Sequence, residues 1–296
     1  LKYLDPAYYL FNKKLQTPMT MTRFGFIGAG SMGSMLIRQF VLAGVIPPGE
    51  ILVCSKQGAS ARAVADKTGA TVKDSPADVA QLADVLFICV RPLDVKAVLM
   101  DLRNHLSDRT LLVSVASSVT IADLATWAGP GVRCARILPS VTAEEHAGIS
   151  LVAWGEGLTD SDKEVIFSLF SAIGTPVEIE EQHFEIYGDL TSCGPALISA
   201  MMQEFASSAV RKEGINPDLA AYLVQQTLIG TAWLLDRDDT DFDELIGRVA
   251  TKGGITEEGV TVLRNRLPGV YQELLGATHK KHELLRKKIA EQDHQE

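Results

Sequence analysis

The sequence has little of what would hold a small secreted domain or a metal centre. Its four cysteines, Cys54, Cys89, Cys134 and Cys193, are scattered through 296 residues, and no two form a C-x-x-C pair. No histidine lies near them at ligand spacing. Neither a disulfide framework nor a zinc site is expected, no residue is assigned to a metal, and a reducing cytoplasm is the compartment this usage suits. Long hydrophobic runs are also missing: Arg, Asp or Gly interrupts every candidate before the roughly 18 to 20 residues that span a bilayer. The amino-terminal residues lack the apolar core and small-residue cleavage site of a signal peptide. Basic residues are in deficit, with 28 Lys and Arg against 37 Asp and Glu and a formal net charge of −9. That balance argues against broad binding to a nucleic-acid backbone.

What is present is the profile of a soluble globular chain, 46% hydrophobic and 22% charged, long enough for two domains. Residues 1–20 do not join the pattern that follows, and they read as a leader or peripheral extension. From Arg23 onward, short apolar runs alternate with amphipathic stretches. Strands are expected at Phe24–Ile27, Ile51–Cys54, Val85–Val90, Leu111–Val115, Arg133–Leu138 and Ile149–Ala153. Helices are expected between them, at Ser34–Ala43, Ser60–Thr68, Pro76–Leu82, Val95–Leu102 and Ile121–Trp127. Such alternation makes β-α-β units and a parallel sheet, and the unbroken apolar runs VLFICV and LLVSV suit strands covered on both faces. After about Glu180 only helical patterns continue: Pro195–Glu213, Pro217–Asp236, Thr256–Asn265 and Pro268–Glu291. The expected architecture is α/β: a Rossmann-like doubly wound sheet over 21–178, an all-helical domain over 179–285, and a charged tail over 286–296. The tail, dense in charge from His279, is expected to project as a solvated helix.

The strongest local signal is Gly28-Ala29-Gly30-Ser31-Met32-Gly33, set directly after one expected strand and opening a helix. The first glycine permits a tight turn, the second lets the backbone approach a pyrophosphate, and the third lets helix and strand pack closely. The helix N-terminus then offers N–H groups and its positive dipole end to the phosphates. A dinucleotide is therefore the expected cofactor. The end of the second strand decides which one, because an acid there would hold the ribose 2′-OH of NAD. This chain has Cys54-Ser55-Lys56 with Arg62 further on, and no acid in the stretch. Ser55 and Lys56 are suited to a 2′-phosphate, so NADP(H) is preferred and NAD(H) stays possible. Lys56 otherwise reads as a solvated loop lysine. Val90-Arg91-Pro92 closes a further strand at the edge where such sheets take their ligands. Arg91 reads equally as a ligand contact or a surface charge.

Three further segments follow in order: Arg136-Ile137-Leu138-Pro139-Ser140-Val141-Thr142-Ala143, Asp189-Leu190-Thr191-Ser192-Cys193-Gly194-Pro195-Ala196 and Thr251-Lys252-Gly253-Gly254-Ile255-Thr256. Behind the glycine loop they resemble the pyrroline-5-carboxylate reductase family over about Thr22 to Leu285. Family members typically read R-x-M-P-N-T-P-A, L-S-G-S-G-P-A and S-P-G-G-T-T at these places. Here Ser140 stands for the Asn, Thr142 for a Pro and Lys252 for a Pro. The runs S-C-G-P-A and K-G-G-I-T-E-E-G look closer to the late-competence ComER-like branch.

The resemblance implies hydride transfer from a reduced nicotinamide to the C=N carbon of a cyclic imino acid, as in proline biosynthesis. It implies a homodimer or larger homo-oligomer built through the helical domain, and a small imino-acid or amino-acid substrate. Matched motif by motif, Thr191, Ser192, Cys193, Thr251, Gly253, Gly254 and Thr256 are the substrate contacts, with Thr256 as the catalytic candidate. The loop 251–256 leads into a helical pattern, where amides and hydroxyls can converge on a carboxylate. A glycine turn with Thr256 as helix N-cap is the plainer reading. No general acid is obligatory, since an imine can enter already protonated. The alternative function is a non-catalytic or altered-substrate cofactor-binding regulator of the ComER-like branch. A β-hydroxyacid dehydrogenase would want a lysine on the long helix, and Pro195–Glu213 has none before Lys212.

Overall fold

The computed structural model describes residues 22–237 and 240–292; the leader expected at 1–20 lies outside them. Eight strands among the described residues form one sheet in the order β3-β2-β1-β4-β5-β6-β7-β8. They are β1 (Phe24–Ile27), β2 (Ile51–Cys54), β3 (Thr71–Val72), β4 (Val85–Ile88), β5 (Leu111–Ser114), β6 (Arg133–Pro139), β7 (Gly148–Trp154) and β8 (Gly174–Glu178). Neighbours run parallel except β6 and β7, which meet antiparallel. The strand order reverses at β1, which lies between β2 and β4. That reversal is the switch point where an open α/β sheet leaves a crevice at its carboxyl edge.

Helices α1 (Ser31–Leu42), α2 (Ala59–Thr68), α3 (Pro76–Ala80), α4 (Val95–Leu102), α5 (Ile121–Ala128), α6 (Asp160–Ser171) and α7 (Phe184–Thr191) follow the strands. They cover both faces, and each face gathers its own core. On one face Phe26 stacks on Phe87 at 4.7 Å, while Phe40 of α1 meets Phe170 of α6 edge-on at 5.4 Å. On the other, Ile27, Leu86 and Ile88 meet Leu99 of α4 and Leu124 and Trp127 of α5. β1, β2, β4 and β5 are buried at every position, which is why their sequences show no alternation. Ser75, Thr120 and Thr159 each open a helix through a reciprocal capping box with an Asp three residues on.

Several elements differ from expectation. β3 is two residues long, too short to show a period. β8, Gly-Thr-Pro-Val-Glu, is an edge strand only partly buried, and its proline hides it. α6, α7 and α10 (Phe242–Val249) were not expected either. α8 (Gly194–Glu213) and α9 (Pro217–Arg237) fall where the pattern placed them. The last helix, α11, is continuous from Ile255 to Glu291 and carries Pro268 inside it, so the expected break after Asn265 is absent.

The chain forms two compact units, one of 22–192 with 282–292 and one of Cys193–Lys281. α7 therefore belongs to the sheet-bearing unit, although a boundary was expected near 178. Over its described residues, 286–292, the tail is not a solvated projection: Ile289 is buried in the core of the first unit, beside α4. Lys96 Nζ donates to the Gln292 carbonyl at 2.7 Å, and Gln292 Nε2 donates to the Leu93 carbonyl at 3.0 Å. Charge density hid this anchor, because one apolar residue suffices to seat the end of a helix whose other faces are solvated.

Candidate functional site

The glycine loop crosses the carboxyl ends of β1 and β4. Gly28 has φ +101°, and a Cβ there would stand 2.6 Å from the Cys89 carbonyl oxygen, so only glycine fits. Its N–H donates to the Cys54 carbonyl at 2.9 Å, and the Cys89 N–H donates to the Ile27 carbonyl at 2.8 Å. The loop is thereby tied to both neighbouring strands. A Cβ on Gly33 would stand 2.1 Å from the Gly28 carbonyl oxygen, which is how closely α1 packs on the loop. Gly30 is the N-cap of α1 and has open space where a side chain would be, with no side chain capping the helix. Ala29 is buried, Ser31 exposed and Met32 half-buried against the core. The Ser34 hydroxyl donates to the Ala29 carbonyl at 2.8 Å and pins the turn. The first N–H groups of α1 have no partner inside the helix, as at any helix start, and no side chain caps them, which suits a pyrophosphate.

At the end of β2, Ser55 accepts a hydrogen bond from the Ala61 N–H at 3.2 Å, so its hydroxyl steadies the start of α2. Lys56 is exposed. The guanidinium of Arg62 lies over Gly58, with Nη1 2.8 Å from where a Cβ would sit. Arg62 thus folds back over the β2–α2 loop, the loop that also carries Lys56. Its spacing, four residues past Gly58 on the first turn of α2, was the available signal. Arg91 is exposed and pairs with Asp94 at 2.8 Å, while Val90 and Pro92 are half-buried. Burial pushes the Cys54 thiol up to about 11, with the Asp78 charge adding to it, and pushes Cys89 up to about 12. Neither thiol is a nucleophile at neutral pH. The first unit therefore brings Gly28–Gly33, Ser55, Lys56, Arg62, Val90, Arg91 and Pro92 to the carboxyl edge of β1, β2 and β4.

The other candidates fall elsewhere. Thr191 and Ser192 end α7 in the first unit, and the Thr191 hydroxyl donates to the Tyr187 carbonyl at 2.9 Å. Cys193 is exposed and begins the second unit. Thr251–Thr256 is a turn of the second unit that opens α11. The Gly254 N–H donates to the Thr251 carbonyl at 2.9 Å, and the Gly253 N–H donates to Glu257 Oε2 at 2.6 Å. Thr256 is the second residue of α11, not its N-cap, and it is exposed, as are Thr251, Lys252 and Gly253. Glu257 was missed, although a carboxylate three residues inside a helix start is a known capping position. Ser140 is buried and accepts from the Thr142 hydroxyl at 2.9 Å, so the two departures in that motif bond to each other.

Residues 23–118 match the family described as NADP oxidoreductase, coenzyme F420-dependent, and residues 181–285 match pyrroline-5-carboxylate reductase dimerisation. The chain is 33% identical to pyrroline-5-carboxylate reductase 3 of Bacillus subtilis over 92% of its length and all of the relative's. It is 29% identical to ComE operon protein 4 of the same organism, over 88% of this chain and 95% of that one. In fold it resembles the Plasmodium falciparum pyrroline carboxylate reductase with NADP bound, at a TM-score of 0.77 and 22% identity, covering 90% of this chain and 98% of the other.

Proposed function

Because the chain belongs to the pyrroline-5-carboxylate reductase family, we propose that it is an NADPH-dependent reductase of a cyclic imino acid of the pyrroline-5-carboxylate type. The observation that carries the reading is the glycine loop: Gly28 and Gly33 are each required by a different contact, while Gly30 leaves open space at the helix N-terminus. The residues present fit a dinucleotide. The amides of 30–33 hold its pyrophosphate, and Lys56 and Arg62 take the 2′-phosphate at a strand end without an acid. Ser55 supports that loop, and Val90 to Pro92 line the crevice.

When bound, a reduced nicotinamide supplies the hydride. The chain's own part is to bind, orient and exclude water. The turn of Thr251, Gly253 and Gly254 leads the amides just inside α11 and the Thr256 hydroxyl to the substrate carboxylate, and Thr256 touches the substrate. Thr191, Ser192 and Cys193 complete the substrate contacts. The imine enters protonated, so no side chain need deliver a proton.

The assembly is a homodimer at least. α8 and α9 leave a groove of about 600 Å³ lined by Met202, Ala206, Val224 and Leu228, and Leu219, Tyr222, Leu223 and Trp233 of α9 are exposed. Apolar faces of this extent suit pairing with a second copy. The scattered cysteines, with no C-x-x-C pair among them, support a reducing cytoplasm as its compartment. No helix among the described residues is long and apolar enough to cross a membrane.

A second reading, a cofactor-binding protein with altered substrate, draws on Lys252 and on the Gly253 amide already engaged by Glu257. NADPH oxidation with pyrroline-5-carboxylate decides between them. Turnover supports the reductase; tight NADPH binding without turnover supports the second reading.

A further inference from the structure

Ser118 lies past β5 in the segment 115–119 and has φ 62°, a conformation that non-glycine residues hold only when their surroundings over-determine it. It is buried. The segment begins where the Val115 N–H donates to the Ile88 carbonyl at 3.2 Å, beside the end of β4 and so at the carboxyl edge of the sheet. What meets Ser118 there is His282 of α11, whose Nδ1 lies 3.2 Å from the Ser118 hydroxyl.

The same imidazole is clasped by two acids of α7. Glu185 Oε1 lies 3.9 Å from Nδ1, and Asp189 Oδ1 lies 3.7 Å from Nε2. These acids are four residues apart and share one helix face. From its own helix, Arg286 faces the cluster and pairs with Glu185 at 2.8 Å. Behind Glu185, Arg136 pairs with Glu181 at 3.2 Å. Three carboxylates (Glu181, Glu185, Asp189) thus face two guanidiniums (Arg136, Arg286), with the His282 ring among them. The Ser118 hydroxyl both donates and accepts, so it meets Nδ1 in either tautomer.

We propose that His282 is a positioning residue that holds Ser118 in the left-handed conformation. It thereby sets the 115–119 segment at the edge of the sheet used by the dinucleotide. The inference rests on the cofactor reading for its consequence, but not for the latch itself.

The test is hydrogen exchange on the full-length protein without cofactor, corrected for the intrinsic rate. Protection of 115–119 should fall on the order of tenfold in His282→Ala, the size of one hydrogen bond lost with its buried partner left behind, with protection of β1 unchanged to show that the fold is intact. His282→Asn, which keeps a side-chain nitrogen donor close to the backbone, should restore part of that protection, which a merely space-filling contact would not do. NADPH affinity, read by tryptophan quenching, should fall in His282→Ala by a similar factor and recover in part in His282→Asn. Protection of 115–119 that is the same in His282→Ala as in wild type overturns the inference. Lost protection with an unchanged affinity overturns the positioning role. Lost protection in a protein that binds no NADPH with or without the substitution removes the cofactor reading instead.

Discussion

A Cβ on Gly33 would stand 2.1 Å from the carbonyl oxygen of Gly28, whereas one on Gly30 would meet nothing within 4 Å. The same motif thus holds a glycine needed for packing and one needed only for what is to be bound. Gly33→Ala forces α1 away from the loop and should cost roughly 1–3 kcal/mol of stability. Gly30 has φ −73°, which alanine accepts, so Gly30→Ala should leave the melting temperature unchanged or slightly raised. It should nonetheless weaken NADPH if the loop holds the pyrophosphate as proposed, since the methyl would stand on that approach. Thermal melts and a cofactor titration of both variants check the pair; equal cofactor loss with equal destabilisation would remove the distinction.

Cofactor selectivity should reside in Lys56 and Arg62. Arg62→Ala removes a guanidinium that lies over Gly58 at the mouth of the loop. It should weaken NADPH on the order of tenfold and leave NADH unaffected, because only the phosphate loses a partner. Lys56→Glu supplies the missing acid and should turn preference toward NADH. The ratio of the two dissociation constants is the measurement, and a ratio that neither change moves would refute the assignment.

The sheet was legible because its central strands are unbroken apolar runs bounded by amphipathic helices, and the glycine loop because each of its glycines answers a separate steric demand. β8 was not legible, since its only pattern is that of a half-exposed edge interrupted by Pro176. Arg62 was read only as lying further on from Ser55 and Lys56, and Glu257 and His282 escaped altogether. Arg62 and Glu257 fold back on Gly58 and the Gly253 amide four positions away, whereas His282 reaches across to Ser118, and a pairing at a distance leaves no period in a sequence. His282 in particular is separated from Ser118 by 164 positions.

The buried thiols should give the protein an alkaline limit. Burial pushes Cys54 and Cys134 up to about 11 and Cys89 up to about 12, from a reference of 9.0. The folded state therefore holds these protons more tightly than the unfolded one. Their contribution is fully present below pH 9 and is lost as pH rises through 11 and 12. Urea unfolding at intervals from pH 8 upward should show stability falling above pH 9, with the fall reduced in Cys89→Ser. At pH 8, a thiol reagent should modify the exposed Cys193 well before the other three.

The last prediction concerns the turn that opens α11. The Gly253 N–H is held by Glu257 and the Gly254 N–H by the Thr251 carbonyl. For the turn to capture a substrate carboxylate, the donors left are therefore the amides just inside the helix and the hydroxyl of Thr256. Thr256→Val removes that hydroxyl and should weaken a carboxylate ligand by about 1–3 kcal/mol while leaving cofactor affinity intact. Lys252→Pro restores the residue usual in the family and tests the neighbouring charge. Higher reductase turnover would mean that the lysine obstructs the site, and lower turnover that it helps to hold the anion. Steady-state kinetics with pyrroline-5-carboxylate, beside direct NADPH titration, separates the two effects. If neither change alters ligand binding or turnover, the turn is only the start of a helix, and substrate capture must be sought among Thr191, Ser192 and Cys193.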